Sequence, residues 1–284
     1  MNYSIVIPSR LQANLDHCLG SLNCCQGRII VAWDTSAGAV PLDQQEEGVE
    51  YRYVEAPFIY AKSCNRGISY SQPGAGEPTP VILMNDDAGL LTYGGFDLLH
   101  GIARAYPQFG AIAPVVRGQV GQAQQVRRGG DGLPLIREAD PGTWLNFVCV
   151  YLTPTGLDAL QNSGGERGHW LDQRFGGSVR CGCDIERDGE FMPYCRECRG
   201  TGTAVVYGGD DVDACLRIQK AGLKIGITDH VLVSHGENLK DGVFRGGVRS
   251  TFRSEEDGTY RRVGVMASNE IFKSKWGHYP GGNK

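Results

Sequence analysis

Hydrophobic positions along this chain come in short β-branched runs that alternate with stretches of helical spacing. Tyr3 to Ile7 is apolar and stops at Pro8, and Leu11 to Leu19 behind it can form a helix. Arg28 to Trp33 is a second run, ending at Asp34, and Val49 to Val54 a short third one before Pro57, a residue suited to a first helical turn. Between Phe58 and Tyr70, Ala61, Cys64 and Ile68 recur at helical steps, which predicts a helix with one face on a sheet. Pro80 to Met84 is almost continuously apolar, as in a strand buried on both faces, and stops abruptly at Asn85, Asp86 and Asp87. A helix with Phe96, Leu99, Ala103 and Tyr106 on one face follows and ends at Pro107.

Ala111 to Val116 continues the strands, and the Gly-, Gln- and Arg-rich stretch through Gly132 reads as a mobile loop. Trp144 to Leu152 predicts a strand, Pro154 to Leu160 a short helix, and Asp210 to Ala221 a helix closed by Gly222. The tail beyond Gly236 has no clean period and reads as an irregular wrap or lid. The alternation predicts an α/β domain with a mostly parallel central sheet and helices on both faces. Its binding crevice would lie at the carboxyl ends of the strands, where Asp34 and the Asn85 to Asp87 triplet sit.

Composition narrows the setting. The 284 residues carry a net charge of −4 with no block of like charge, so nothing suggests strong attraction to nucleic acid or an anionic membrane. No apolar run approaches the ~20 residues that cross a bilayer, and Met-Asn-Tyr-Ser leads straight into a strand without a signal-peptide pattern. An intracellular, cytoplasmic protein is expected. In that reducing setting the ten cysteines point to metal before disulfides.

Four of them cluster: Cys181 and Cys183, then Cys195 and Cys198. Two close pairs on turns can fold around a tetrahedral Zn²⁺ with no open coordination position, so the expectation for residues 178–204 is a structural zinc insertion. Arg180, Arg187, Arg196 and Arg199 surround it, which suits recognition of a binding partner. The remaining six cysteines have apolar neighbours and read as small core residues.

Three polar features carry candidate chemistry. A departing diphosphate gains charge, and a divalent cation held by a carboxylate at a strand mouth offsets it. Asp87 is the candidate ligand, with Asn85 and Asp86 nearer the ribose and phosphates, although such a triplet can also simply make a turn. Gly208-Gly209-Asp210-Asp211-Val212-Asp213 opens a helix, where acids are favoured as caps. Two adjacent acids behind two glycines exceed what a cap needs, and Asp211, with Asp210 beside it, is the candidate general base. His235 ends the apolar run Val231 to Ser234 and can complete the metal site with Asp87, or serve the structure alone.

The segments Ser4-Ile5-Val6-Ile7-Pro8-Ser9, Ile29 to Ser36, Ala61 to Gly67, Ile82 to Asp87, and Asp210 to Gly222 followed by His235 resemble the motifs of family-two glycosyltransferases of the GT-A fold, in the same order. The resemblance spans most of residues 3–236. It implies one GT-A-like domain over residues 1–284, with a nucleotide-sugar-binding half at 1–116, an acceptor-side half at 117–236 and a tail or lid at 237–284. It implies Pro8, Arg10, Asp34 and Asn65 on the donor side together with Asn85 and Asp86. It further implies Mn²⁺ or Mg²⁺ on Asp87 and His235, and Asp211 as base of an inverting transfer. The donor would be a nucleotide diphosphate sugar, UDP-sugar favoured, and the acceptor a glycan, a protein or a modified DNA base. The chain departs from the family's pattern at Ser9-Arg10, at Trp33 before Asp34, and at Asp210 where a glutamate is common. The competing expectation is a non-catalytic module of this fold whose zinc element contacts a partner or nucleic acid. A single Cys195 to Gly202 repeat also resembles the zinc module of DnaJ-type chaperones, without a matching helical domain.

Overall fold

A computed structural model describes residues 3–35, 38, 40, 45–55, 58–74, 76–117, 135–139, 143–163, 169–176, 178–180, 203–206, 208–235, 237–240, 243–246 and 262–280. The elements are β1 (Ser4–Ser9), α1 (Gln12–Gly20), β2 (Arg28–Asp34), β3 (Val49–Val54), α2 (Tyr60–Ser71), β4 (Val81–Met84), β5 (Ala88–Leu90), α3 (Gly95–Ala105), β6 (Phe109–Arg117), β7 (Arg137–Glu138), β8 (Cys149–Leu152) and α4 (Pro154–Asn162). A 3₁₀ turn (Gln173–Gly176), β9 (Ser178–Arg180), β10 (Thr203–Val205), α5 (Asp210–Lys220), β11 (Lys224–His235), β12 (Glu237–Lys240), β13 (Val243–Gly246) and α6 (Arg262–Trp276) complete them.

The central sheet has nine strands, in the order β3-β2-β1-β4-β8-β6-β11-β5 with β7 on β11. Its strands separate the core into two layers through their period of two. Ile5, Ile7, Val31, Trp33, Ile82 and Met84 face one side, against Leu15, Cys18 and Leu19 of α1 and Phe96, Leu99 and Ile102 of α3. Val6, Ile30, Val81 and Leu83 face the other, against Ala61, Cys64 and Ile68 of α2 and Ala214, Cys215 and Ile218 of α5. Helices thus cover both faces, which is why β1 and β4 read as unbroken apolar runs.

The sheet is mixed rather than mostly parallel. β1 pairs in parallel with β2 and β4, β2 with β3, and β6 with β11, but β8 lies antiparallel between β4 and β6, and β5 and β7 lie antiparallel on β11. The expected Trp144 to Leu152 strand is regular only from Cys149, because the preceding residues bond elsewhere: Val148 N–H to Asn146 Oδ1 at 2.9 Å, and Leu145 N–H to Cys215 Sγ at 3.3 Å. Strand β11 is far longer than the apolar run ending at His235, since register shifts at Lys224/Ile225 and Thr228/Leu232 let it continue past a polar interruption. The tail is also more regular than a wrap, with a β12–β13 hairpin and helix α6. The glycine- and arginine-rich loop and the cysteines Cys181, Cys183, Cys195 and Cys198 lie outside the described residues. The other six cysteines are free thiols; Cys18, Cys64, Cys149 and Cys215 are buried.

Local chemistry starts and stops the helices. In α4, Pro154 occupies the first turn and Thr153 Oγ1 accepts the Gly156 N–H at 3.0 Å. Gly156 is required there, since a Cβ would lie 1.9 Å from the Gly110 carbonyl oxygen on β6. Gly156→Ala should therefore cost about 3 kcal/mol through backbone displacement. Gly101→Ala, on the open face of α3 with nothing within 4 Å, should gain up to about 1 kcal/mol of helix propensity. Urea midpoints of the two variants check the contrast, and equal midpoints would refute it.

Candidate active site

The end of β1 and the end of β4 meet side by side. Ser9 Oγ donates to Asp86 Oδ2 at 2.8 Å, both residues being buried. Pro8 is buried within β1, Asp34 is fully buried at the end of β2, and the Arg10 guanidinium lies over the Phe58 ring at 5.6 Å. The acid turn itself is pinned from three directions. Asn85 N–H donates to Val148 O at 2.9 Å, Ala88 N–H to Asn85 O at 3.2 Å, and the Cys18 thiol to the same oxygen at 3.6 Å.

Strand β5 then decides where Asp87 goes. It pairs antiparallel with the end of β11, Ala88 opposite His235, so the residue immediately before Ala88 comes beside the imidazole. Asp87 Oδ1 lies 3.3 Å from His235 Nε2. That oxygen is buried yet has no hydrogen bond, and neither has Asn85 Oδ1. Buried acceptors left open in this way are costly unless something else satisfies them. A carboxylate oxygen beside an imidazole nitrogen suits Mn²⁺ or Mg²⁺. Among the described residues no cluster of three His, Cys, Asp or Glu side chains forms, so the protein alone would leave most positions of such an ion to other oxygens.

The second group of acids sits on α5. Gly208 and Gly209 both have left-handed backbone, φ +80° and +96°, and Gly209 rather than an acid occupies the N-cap. A Cβ on Gly209 would come within 3.1 Å of the Phe175 ring. Asp211 Oδ1 accepts the Val212 N–H at 2.8 Å, whereas Asp210 Oδ2 is buried without a hydrogen bond. Burial pushes both carboxyls up out of the ordinary range, and the charge of Asp211 pushes Asp210 further. The Leu145–Val148 connector joins the two groups of acids, bonded to Cys215 of α5 at one end and to Asn85 at the other. Extended, it spans at most about 14 Å. Tyr60 donates to the Phe147 carbonyl in the same connector at 2.7 Å and is raised by burial, Cys64 and Asp210.

Asn65 is buried on α2. Its Oδ1 accepts Trp170 N–H and Leu171 N–H at 3.0 and 2.8 Å, and its Nδ2 donates to Leu171 O at 2.8 Å. The amide clamps α2 onto that segment. Sequence reasoning also passed over a buried ionic cluster behind the acid pair. Arg217 donates to Asp213 at 2.9 Å and to the carbonyls of Leu160 and Trp170, while Lys275 of α6 lies 2.7 Å from Asp213 and 2.9 Å from Asp172. The i,i+4 spacing of Asp213 and Arg217 was a readable signal. Nothing local points to Lys275.

No protein-family model and no curated protein matches this sequence. The fold does match solved structures, among them the crystal structure of GalNAc-T7 with UDP, GalNAc and Mn²⁺. That match has a TM-score of 0.52 at 11% identity and covers 88% of this chain and 46% of that one. The chain has a GT-A-like fold. It spans about half the length of that enzyme.

The acid pair makes stability depend on pH in a defined direction. A carboxyl whose folded-state pKa is raised contributes full stability below its unfolded pKa and loses it as pH rises through the folded one. Asp210→Asn should therefore leave the melting temperature unchanged near pH 4 and raise it at pH 8 by about 2–4 °C, the equivalent of roughly 1 kcal/mol. Melting curves across that range test it; a variant less stable at pH 8 would contradict the assignment.

Proposed function

We propose that this chain is a metal-dependent, inverting glycosyltransferase that moves a sugar from a nucleotide diphosphate donor, UDP-sugar favoured, to an acceptor hydroxyl. The observation that carries the reading is the approach of Asp87 Oδ1 to His235 Nε2, 3.3 Å, in the crevice of a glycosyltransferase fold. The GalNAc-T7 structure with UDP and Mn²⁺ supports it at the level of the fold. Residues 1–116 would form the donor half, with Pro8, Arg10 and Asp34 toward the base and Asn85 and Asp86 toward ribose and phosphates.

Asp87 and His235 would hold Mn²⁺ or Mg²⁺. Bound there, the ion supplies Lewis-acid stabilisation of the charge that develops on a departing diphosphate. The protein's own part lies in the two acids. Asp211 takes the proton from the acceptor hydroxyl as that oxygen bonds to the anomeric carbon, whose bond to the phosphate oxygen breaks on the opposite side. Its raised affinity for protons suits a base working near neutral pH. Asp210, raised further, holds the neighbouring charge low until the base is needed. The left-handed Gly208, whose Cβ direction is open, would keep a side chain out of the acceptor's approach, while Gly209 gives Phe175 its place. The acceptor would be a glycan, a protein or a modified DNA base. Cys181, Cys183, Cys195 and Cys198 would bind the structural Zn²⁺.

Thermal shifts with UDP and Mn²⁺, alongside UDP-sugar turnover, test the roles separately. Asp87→Ala and His235→Ala should abolish the Mn²⁺-dependent stabilisation by UDP. Asp211→Asn should keep that stabilisation and lose about 10²-fold or more in turnover, the usual worth of a general base. Wild-type protein that UDP and Mn²⁺ fail to stabilise would overturn the proposal.

A further inference from the structure

We infer that Lys275, on the C-terminal helix, is a positioning residue for the acid pair: it ties α6 to Asp213 and Asp172 and so holds the first turn of α5 at the cleft. This deepens the reading of Asp211 as the base and rests on it.

The contacts converge on one carboxylate. Asp213 is fully buried and accepts from Arg217 Nε at 2.9 Å, Trp276 Nε1 at 2.9 Å and Lys275 Nζ at 2.7 Å. Its own N–H donates to Gly209 O at 2.9 Å, closing the turn that carries Asp210 and Asp211. Fixing the Asp213 side chain therefore fixes the rotation of that turn. Lys275 also reaches Asp172 Oδ2 at 2.9 Å; burial raises this carboxyl, but Arg174 and Lys275 together hold it well below the usual range. Asp172 follows the Trp170–Leu171 segment clamped by Asn65 of α2, the helix whose Tyr60 and Cys64 face the acids. A second contact between α6 and the turn is apolar: Phe272 packs against Phe175, and Phe175 lies against Gly209.

A buried ion pair is often no more stable than the apolar packing that could replace it, so a cluster in which Asp172, Asp213 and Arg217 are fully buried and Lys275 largely so is better explained by placement than by stability. Its location beside the acids gives it an electrostatic consequence as well. The groups around the pair are Tyr60 and Cys64 from α2, Cys215 and Asp213 from α5 itself, and Lys275 from α6 acting through Asp213. Without the ammonium, the negative charge of Asp213 would act on Asp210 with less compensation and favour its protonated form, and Asp210 lies directly beside the base.

The experiment compares full-length wild type, Lys275→Met, Lys275→Arg and Trp276→Phe. UDP with Mn²⁺ is the binding probe, and hydrolysis of a UDP-sugar that the wild type turns over is the kinetic probe. Lys275→Met should bind UDP and Mn²⁺ within about twofold of wild type, lose about tenfold or more in kcat, and shift the acid limb of its pH–rate profile upward by about half a unit. Lys275→Arg should restore much of the rate and the profile. Trp276→Phe keeps the ring packing and removes one hydrogen bond, so it should lower kcat with unchanged UDP binding even if Lys275→Met fails to fold. Wild-type kcat and pH profile in Lys275→Met, or in Trp276→Phe where the former does not fold, would overturn this inference alone. Wild-type protein that neither binds UDP nor turns over any UDP-sugar would overturn the glycosyltransferase reading and this inference with it.

Discussion

Everything in the candidate site hangs on one antiparallel ladder, the pairing of β5 with the end of β11. Main-chain hydrogen bonds set Val233 opposite Leu90, Ser234 opposite Gly89 and His235 opposite Ala88. A slip of one residue would turn each side chain to the other face of the sheet. Because β11 is also in register with β6, which is joined through β8 to β4, the ladder is locked into the same sheet whose β4 delivers the acid turn. Two groups remote in sequence arrive within 3.3 Å of each other by backbone geometry, before any cation is considered.

The electrostatics of the cleft divides along α5. At its first turn Asp210 and Asp211 are held in surroundings that resist their charge. Nearly a turn further, Asp213 is saturated with donors from Arg217, Lys275 and Trp276. Removing a partner from a buried pair of this kind costs about 3–5 kcal/mol, so the satisfied carboxylate is a stiff anchor. A turn bearing two unfavourable carboxylates needs such an anchor, because protein that could relax would move them toward water. The helix α6 is thereby tied to the start of α5 and is not a loose wrap.

Sharing a fold with GalNAc-T7 at 11% identity means that the chain path is similar while almost all side chains differ. A fold places the crevice; the groups within it decide the reaction. In this chain those groups are an unsatisfied Asp87 oxygen beside an imidazole, and a pair of acids with raised proton affinity a short connector away.

Local pattern by itself determined the first half of the molecule. β1, β2, β3 and β4, the apolar face of α2 through Ala61, Cys64 and Ile68, and the helix opening at Asp210 follow from residue spacing, because burial on a sheet imposes a period that neighbours in sequence reveal. Asp87, His235 and Asp211 stood out for the same reason: polar residues at the abrupt end of an apolar run, or in excess of what a helix cap requires. Only tertiary structure decided that β8 runs against its neighbours, that β11 carries on through Thr228, Asp229 and His230, and that Asn65 clamps a backbone segment. Lys275 belongs with these, since a lone lysine near a chain end looks solvated until the chain folds back and a partner carboxylate is waiting. Spacing reports on faces and periods, whereas strand direction, register and the pairing of distant charges are energies of contacts between segments that the linear order never brings together.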